Sequence, residues 1–249
     1  MRSSDHDRAI QAEFDRAATG FAQRTKARFD RLDIAPFARV RPQTVVVEVG
    51  GGTGNFLRHL EGQGRFLVNV DLTWGMLDVA RRQNPGSAVV QGDGSKLPLG
   101  DNSIDLVTCA QMLHHVPQPL PILEEMARVA RRGPSVLIVD QCAPEKYEQA
   151  VAMNQLEKVR DPSHATSRPP SAFATLVSAA GLEIVDQKIH EERETFSQWM
   201  QPGEFDQERI AATLRFIEER GEDTGMDFSK DAKEWSFTRR RILLLAEKK

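Results

Sequence analysis

Short apolar runs of strand length recur along the chain, separated by stretches whose apolar positions follow a helical period. Residues 45–49 (VVVEV), 66–71 (FLVNVD), 88–91 (AVVQ), 104–110, 135–140 (SVLIVD), 182–189 and 241–246 (RILLLA) each read as a buried or half-buried strand. Between them, Phe56, Leu57 and Leu60 predict a helix to about Gly62, and a second helix is expected from Thr73 to Arg82. Residues 121–132 carry apolar side chains at 122, 123, 126, 127, 129 and 130, one helical face that Gly133-Pro134 should stop. Residues 173–180 read as a helix closed by Gly181, and residues 5–35, apolar at 10, 14, 17, 18, 21 and 29, as one or two amphipathic helices ahead of the sheet. Strands alternating with helices predict an α/β fold with a parallel sheet.

The first strand ends in an acidic residue, Glu48, and a glycine turn follows: Gly50, Gly51, Gly52 and Gly54. Strand, glycine turn and helix form a nucleotide-binding arrangement whose ligand lies outside the carboxyl end of the sheet. Dinucleotide sites use GxGxxG or GxGxxA. Here the spacing is GxGxG, and Asn55 stands where the third small residue would be. Glu48 suits a cationic or hydroxyl-bearing ligand better than a phosphate. Asp71, at the end of the second strand and 17 positions after Gly54, can accept both hydroxyls of a free ribose. Thr73 is a fitting helix N-cap. Asp93 follows the third strand in a turn with Gly94, and residues 111–116 (QMLHHV) cap the fourth strand, over the switch point where ligands bind.

These elements resemble the motifs of the class I S-adenosylmethionine (SAM) methyltransferases. Glu48 with GxGxG is similar to their first motif, residues 71–77 (DLTWGML) to DxSxxML, residues 97–109 (LPLGDNSIDLVTC) to LPFxDxSFDxV, and residues 113–116 to a comparable LHHV element. Residues 14–24 (FDRAATGFAQR) resemble the FDxxAxxY element of the ubiquinone/menaquinone C-methyltransferases and type 11 small-molecule methyltransferases, with Phe21 where those carry an aromatic hydroxyl. The resemblance implies a Rossmann-like seven-stranded sheet, mostly parallel with an antiparallel last strand, helices on both faces and a helical lid. One domain would then span residues 1–249: an N-terminal helical cap (1–40), a cofactor half (44–140), and lid or substrate segments (143–172 and 194–235). SAM, leaving as S-adenosylhomocysteine (SAH), would be held by Glu48, Gly50, Gly51, Gly52, Gly54, Asp71, Leu72, Met76, Asp93, Gly94, Ala110, Gln111 and His115. For Trp74 and Met76, core packing is as good a reading as cofactor contact. The acceptor would be carbon or oxygen of a small, largely apolar metabolite, quinone- or phenol-like. Two alternatives stay open: a SAM-binding protein of this fold without methyl transfer (a binding module or cyclase-type catalyst), and an NAD-dependent oxidoreductase, against which Asn55 counts.

Composition narrows the surroundings. The net charge of −3, with 28% charged residues, argues against a general nucleic-acid or membrane-surface binder. The N-terminus is polar, no stretch approaches the roughly 18 apolar residues of a membrane span, and a cytoplasmic location is expected. Cys109 and Cys142 sit in or beside apolar runs and read as reduced, buried thiols. No metal is expected, because HExxH and paired CxxC spacings are absent. Methyl transfer is mainly a positioning task, helped by a base when the acceptor starts protonated. His164, in the lid-like RDPSHATSRPP stretch, is the first expectation for that contact, with His114, His115 and Tyr147 as further candidates. Monomer and homodimer both stay open.

Overall fold

Runs rich in valine, isoleucine and leucine, free of internal glycine, become the strands, and the computed structural model describes residues 18, 20–23, 25–200 and 206–248. In chain order the strands are β1 (Val45–Val49), β2 (Phe66–Asp71), β3 (Ser87–Gln91), β4 (Leu106–Ala110), β5 (Gly133–Gln141), β6 (Leu182–Thr195), β7 (Ser229–Lys230) and β8 (Trp235–Lys248). The helices are α1 (Ile34–Phe37), α2 (Trp74–Gln83), α3 (Leu120–Val129), α4 (Tyr147–Arg160), α5 (Pro170–Ala179), α6 (Phe196–Met200) and α7 (Gln207–Arg220). The sheet runs β3-β2-β1-β4-β5-β8-β6. The pairs from β3 through β5 are parallel, and β8 is antiparallel to both β5 and β6. All seven expected strands are present; the eighth, β7, is a two-residue pairing on β8.

The two-residue period of the strands divides the core. Val47, Val49, Val68, Val70 and Val107 pack on one face under Leu123 and Met126 of α3 and Phe173 and Val177 of α5. Val46, Leu67, Leu106 and Leu137 pack on the other under Ile34 and Ala35 of α1 and under Phe56, Leu57 and Leu60. Each such side chain contributes roughly 1.5–3 kcal/mol of burial, which fixes β1 at the centre and leaves its carboxyl end facing the glycine turn. A third cluster joins Met153 and Leu156 of α4, Trp199 of α6, Ile217 of α7 and Phe237 of β8. The two segments expected as lid therefore share one helical layer.

Several boundaries differ from expectation for physical reasons. The helix expected to Gly62 is a single 3₁₀ turn, Leu57–Leu60, because Gly62 takes φ +72° and the chain must turn at once into β2. Thr73 occupies the N-cap of α2, but its side chain makes no cap hydrogen bond. α3 ends at Val129, where Ala130 turns extended, three residues before the expected stop. β6 and β8 are each 14 residues long, far beyond their apolar centres. Opposite charges hold their outer ends: Arg241 pairs with Glu192, Arg240 with Glu191, and Arg239 with Glu194. Of the N-terminal segment, Ala18 and residues 20–23 are helical, and Ala18 and Ala22 pack on Met76 and Val79 of α2. The expected positions 10, 14 and 17, and Phe205 of the second lid segment, lie outside the described residues. Among the described residues no helix is long and apolar enough to cross a membrane. Both cysteines are free and buried.

Candidate functional site

The carboxyl ends of β1, β2, β4 and β5 converge on the glycine turn. Gly51 sits directly above two polar side chains: a Cβ there would collide with Asn69 Oδ1 and lie 2.8 Å from Glu48 Oε2. No residue larger than glycine fits without displacing them. Gly54 takes φ +77°, and Asn84 Nδ2 donates to its carbonyl at 2.9 Å. Gly52 is held from both sides, its N–H donating to Asp71 Oδ2 at 2.8 Å and its carbonyl accepting from Asn69 Nδ2 at 3.0 Å. Asn55, the residue that departs from the dinucleotide pattern, donates to Ala22 O and Thr25 Oγ1. It thereby ties the N-terminal segment to the turn.

Two acceptors under this turn are buried without a partner, Glu48 Oε2 and Asn69 Oδ1. Glu48 is only 1% exposed. Burial, and then the neighbouring Asp71, push its carboxyl well above the usual range, against a backbone hydrogen bond from Leu57. An orphaned buried acceptor is costly, and a cationic or hydroxyl-bearing ligand seated on the turn would offset that cost. Asp71 is raised chiefly by burial, while the N–H groups of Thr73 and Gly52 oppose the shift. Its Oδ1 accepts from Thr73 N at 2.8 Å, so this carboxylate replaces the missing side-chain cap of α2. Asp93 is exposed and caps its own turn through Ser95 N and Oγ, both at 2.8 Å. Gly94 closes against Val49. Leu72 is half-buried beside Asp71, Met76 is packed against the N-terminal helix, and Trp74 is 51% exposed. Asp105 accepts from Val45 N and pairs with Arg131, a structural tie between β1 and β4.

Ala110 ends β4 in the core, and Gln111 then takes φ +52°, its backbone N–H donating to Val139 O at 2.7 Å. The Gln111 side-chain Nε2 is buried without a partner. A left-handed non-glycine residue at a strand end costs on the order of 1–3 kcal/mol, and such strain gathers at functional sites. The LHHV turn follows, and the lid stretch is clamped onto it. Arg168 donates to the carbonyls of Leu113 (2.8 Å), Val116 (2.9 Å) and Thr166 (3.1 Å), while Ala165 N and Thr166 N donate to His114 O.

The clamp gathers three imidazoles. The His114 and His115 ring centroids are 4.1 Å apart, and those of His114 and His164 5.8 Å. His114 Nδ1 lies 2.5 Å from Asp140 Oδ1, at the end of β5, a carboxylate only 1% exposed. Burial raises Asp140 to about 6 and drives the His114 imidazole well below its ordinary value. His114 is therefore neutral near pH 7, donates Nδ1–H to Asp140, and keeps the lone pair on Nε2. The sequence reading missed Asp140; its only signal was an acid closing a buried strand. His115 Nδ1 lies 3.1 Å from both the carbonyl and the hydroxyl of Ser163. Tyr147 is 76% exposed at the start of α4 and is not part of this cluster.

His164, expected as an open lid contact, is instead 3% exposed behind His114. Asn154 Oδ1 accepts from Ser167 N at 2.7 Å, so His164 Nε2, 2.8 Å from the same oxygen, carries the proton. Its Nδ1 is a buried acceptor without a partner. Burial, opposed by Glu157, lowers His164 to about 4. Between about pH 4 and the unfolded value near 6.5, the unfolded chain binds a proton here that the folded chain does not, so this residue's contribution to stability rises with pH. His164→Gln is expected to flatten the acid limb of stability against pH in that window, by an amount on the order of 3 kcal/mol. Thermal melting across the window reads the effect, and superimposable pH profiles of the two proteins would contradict the assignment.

Comparison with known proteins bears on this arrangement. Residues 47–138 match a family model described as a methyltransferase domain. The chain is 31% identical over 154 residues to an uncharacterized methyltransferase, YcgJ, of Bacillus subtilis, covering 60% of this chain and 61% of that one. It is 34% identical over 103 residues to a demethylmenaquinone methyltransferase of Renibacterium salmoninarum, covering 41% of this chain and 44% of that one. These matches span less than two thirds of either relative's length. The crystal structure of a putative methyltransferase from Bacillus halodurans superposes with a TM-score of 0.80 at 27% identity, covering 87% of this chain and 98% of that one. Motif order, strand order and these likenesses agree, and together they support a class I SAM-dependent methyltransferase.

Proposed function

We propose that the chain transfers a methyl group from SAM to carbon or oxygen of a small quinone- or phenol-like acceptor. The observation that carries this reading is the pair of orphaned acceptors, Glu48 Oε2 and Asn69 Oδ1, beneath a glycine turn in which Gly51 has no room for a Cβ. Asp71 would hold the ribose, the turn from Gly50 to Gly54 the aminoacyl end, and Asp93 with Gly94 the adenine. Leu72, Met76, Ala110, Gln111 and His115 would line the remainder. The quinone-like acceptor follows the relatives named demethylmenaquinone methyltransferases.

When bound, SAM supplies an electrophilic methyl group on a sulfonium sulfur. The chain's own residues supply alignment, shelter from water and a proton acceptor. Asp140 holds the His114 tautomer with Nε2 unprotonated, so that this nitrogen takes the acceptor's proton. His164 and Arg168 hold the LHHV turn in place. Calorimetric titration with SAH, with NADH as control, tests the reading. Micromolar binding of SAH alone is expected; binding of NADH alone, or of neither, would overturn it.

A further inference from the structure

The segments above the sheet bring an unusual group of charges together. Gln141, the last residue of β5, pairs with Arg241, so residues 235–240 of β8 project past the carboxyl ends of the parallel strands. That is the side of the sheet on which ligands bind. Arg239 and Arg241 alternate onto one face of this projection. Arg239 Nη1 reaches Gln141 Oε1 at 3.1 Å. From the lid, the Arg160 guanidinium lies 5.0 Å from the Trp199 ring. From the N-terminal segment, the Arg28 guanidinium lies 5.7 Å from the Phe21 ring. Phe21 precedes Ala22, whose carbonyl Asn55 ties to the glycine turn. Arg28 thus stands where the cofactor turn, the N-terminal segment and the lid meet.

Three of these four cations hold their own acid. Arg160 pairs with Glu157, Arg239 with Glu194 and Arg241 with Glu192. Arg28 pairs with none among the described residues. It is half-buried, and burial together with the nearby Arg239 and Arg241 lowers it to about 9, against the opposing charge of Glu194. It therefore stays cationic at neutral pH. Arg241 Nε is also a buried donor without a partner. A cation held among other cations, with a spare donor beside it and no acid of its own, is costly unless an anion arrives. A guanidinium presents planar, paired donors that match a carboxylate. The Phe21 ring beside it suits an apolar frame.

We infer that Arg28 completes an anion subsite beside the cofactor turn, and that the methyl acceptor carries a carboxylate on an otherwise apolar, ring-like frame. This rests on the methyltransferase reading and refines its acceptor from largely apolar to anionic at one end. Arg28 would orient the acceptor by its charged end, and the neighbouring ion pairs would keep the subsite from collapsing when it is empty.

The test uses sodium benzoate as the probe and benzyl alcohol as its neutral counterpart, titrated into the full chain saturated with SAH at constant ionic strength. Benzoate is expected to bind about tenfold tighter than the alcohol, the scale of one charge-assisted hydrogen bond. Arg28→Gln should abolish that preference, and Arg28→Lys, which keeps the charge but not the fork, should retain part of it. Melting of the unliganded variants shows that they remain folded. Equal binding of benzoate and alcohol by the wild-type chain, or an undiminished benzoate preference in Arg28→Gln, would overturn the inference. Failure to bind SAH would instead strike the methyltransferase reading, and the same benzoate comparison on the unliganded chain would still decide the subsite.

Discussion

Asp140→Asn is expected to lower the rate of methyl transfer by about two to four orders of magnitude, the usual worth of a positioned base, while SAH affinity stays within about twofold. Asp140 Oδ1 accepts both from Gln141 N at 2.8 Å and from His114 Nδ1 at 2.5 Å. Asparagine can keep its amide oxygen on both donors, and the His114 tautomer with them, but it carries no charge to stabilise the imidazolium that forms once Nε2 takes the acceptor's proton. Its amide nitrogen would also sit where Asp140 Oδ2 is buried without a partner. His114→Gln should fall about as far, and the double variant no further, because the two groups act as one unit. Single-turnover transfer from methyl-labelled SAM to a panel of quinols and phenols reads the effect, and thermal melting of each variant separates it from unfolding. Wild-type transfer by Asp140→Asn would remove the pair from the reaction.

What could be read in the sequence follows from where the free energy lies. The parallel strands were legible because each is a short run of β-branched and aliphatic residues buried on both faces, as at Val46, Val47 and Val49. The outer halves of β6 and β8 were not. There the partners are Arg239 with Glu194 and Arg241 with Glu192, and charges paired across strands leave no apolar alternation along either one. The failed helix after Gly54 has a comparable cause. Phe56, Leu57 and Leu60 are buried as a helical face would be, but one 3₁₀ turn already buries them and Gly62 ends it.

The site divides in the same way. Glu48, the glycines and Asp71 were legible because their chemistry is local: an acid, a turn without side chains, and a second acid at a strand end. Asn55 could be read as a departure from the dinucleotide pattern, but its use could not, because its partners Ala22 and Thr25 lie 33 and 30 residues earlier. Asp140 read only as the end of β5. Its meaning arises from the parallel pairing of β4 with β5, which sets it beside a histidine 26 residues away. The depth of His164 was not legible, since its burial depends on Arg168 reaching four carbonyls of two separate turns.

Asp71→Ala should weaken SAH binding by roughly 1–3 kcal/mol, about tenfold to a hundredfold, the scale of losing charge-assisted hydrogen bonds. The carboxylate acts twice in this structure. It orders the turn by accepting from Gly52 N and Thr73 N, and it would present the same two oxygens to the ribose hydroxyls. These roles separate by substitution. Asp71→Asn keeps one acceptor, so it should preserve one of the two backbone contacts and recover part of the thermal stability lost in the alanine variant. Its affinity for SAH should stay low, because an amide places a donor where the ribose needs an acceptor and brings no charge. Calorimetry on both variants, with melting curves alongside, decides the matter. A loss of affinity that simply tracks the loss of stability would make Asp71 a loop support alone. Wild-type affinity in Asp71→Ala would move the ribose away from β2 altogether.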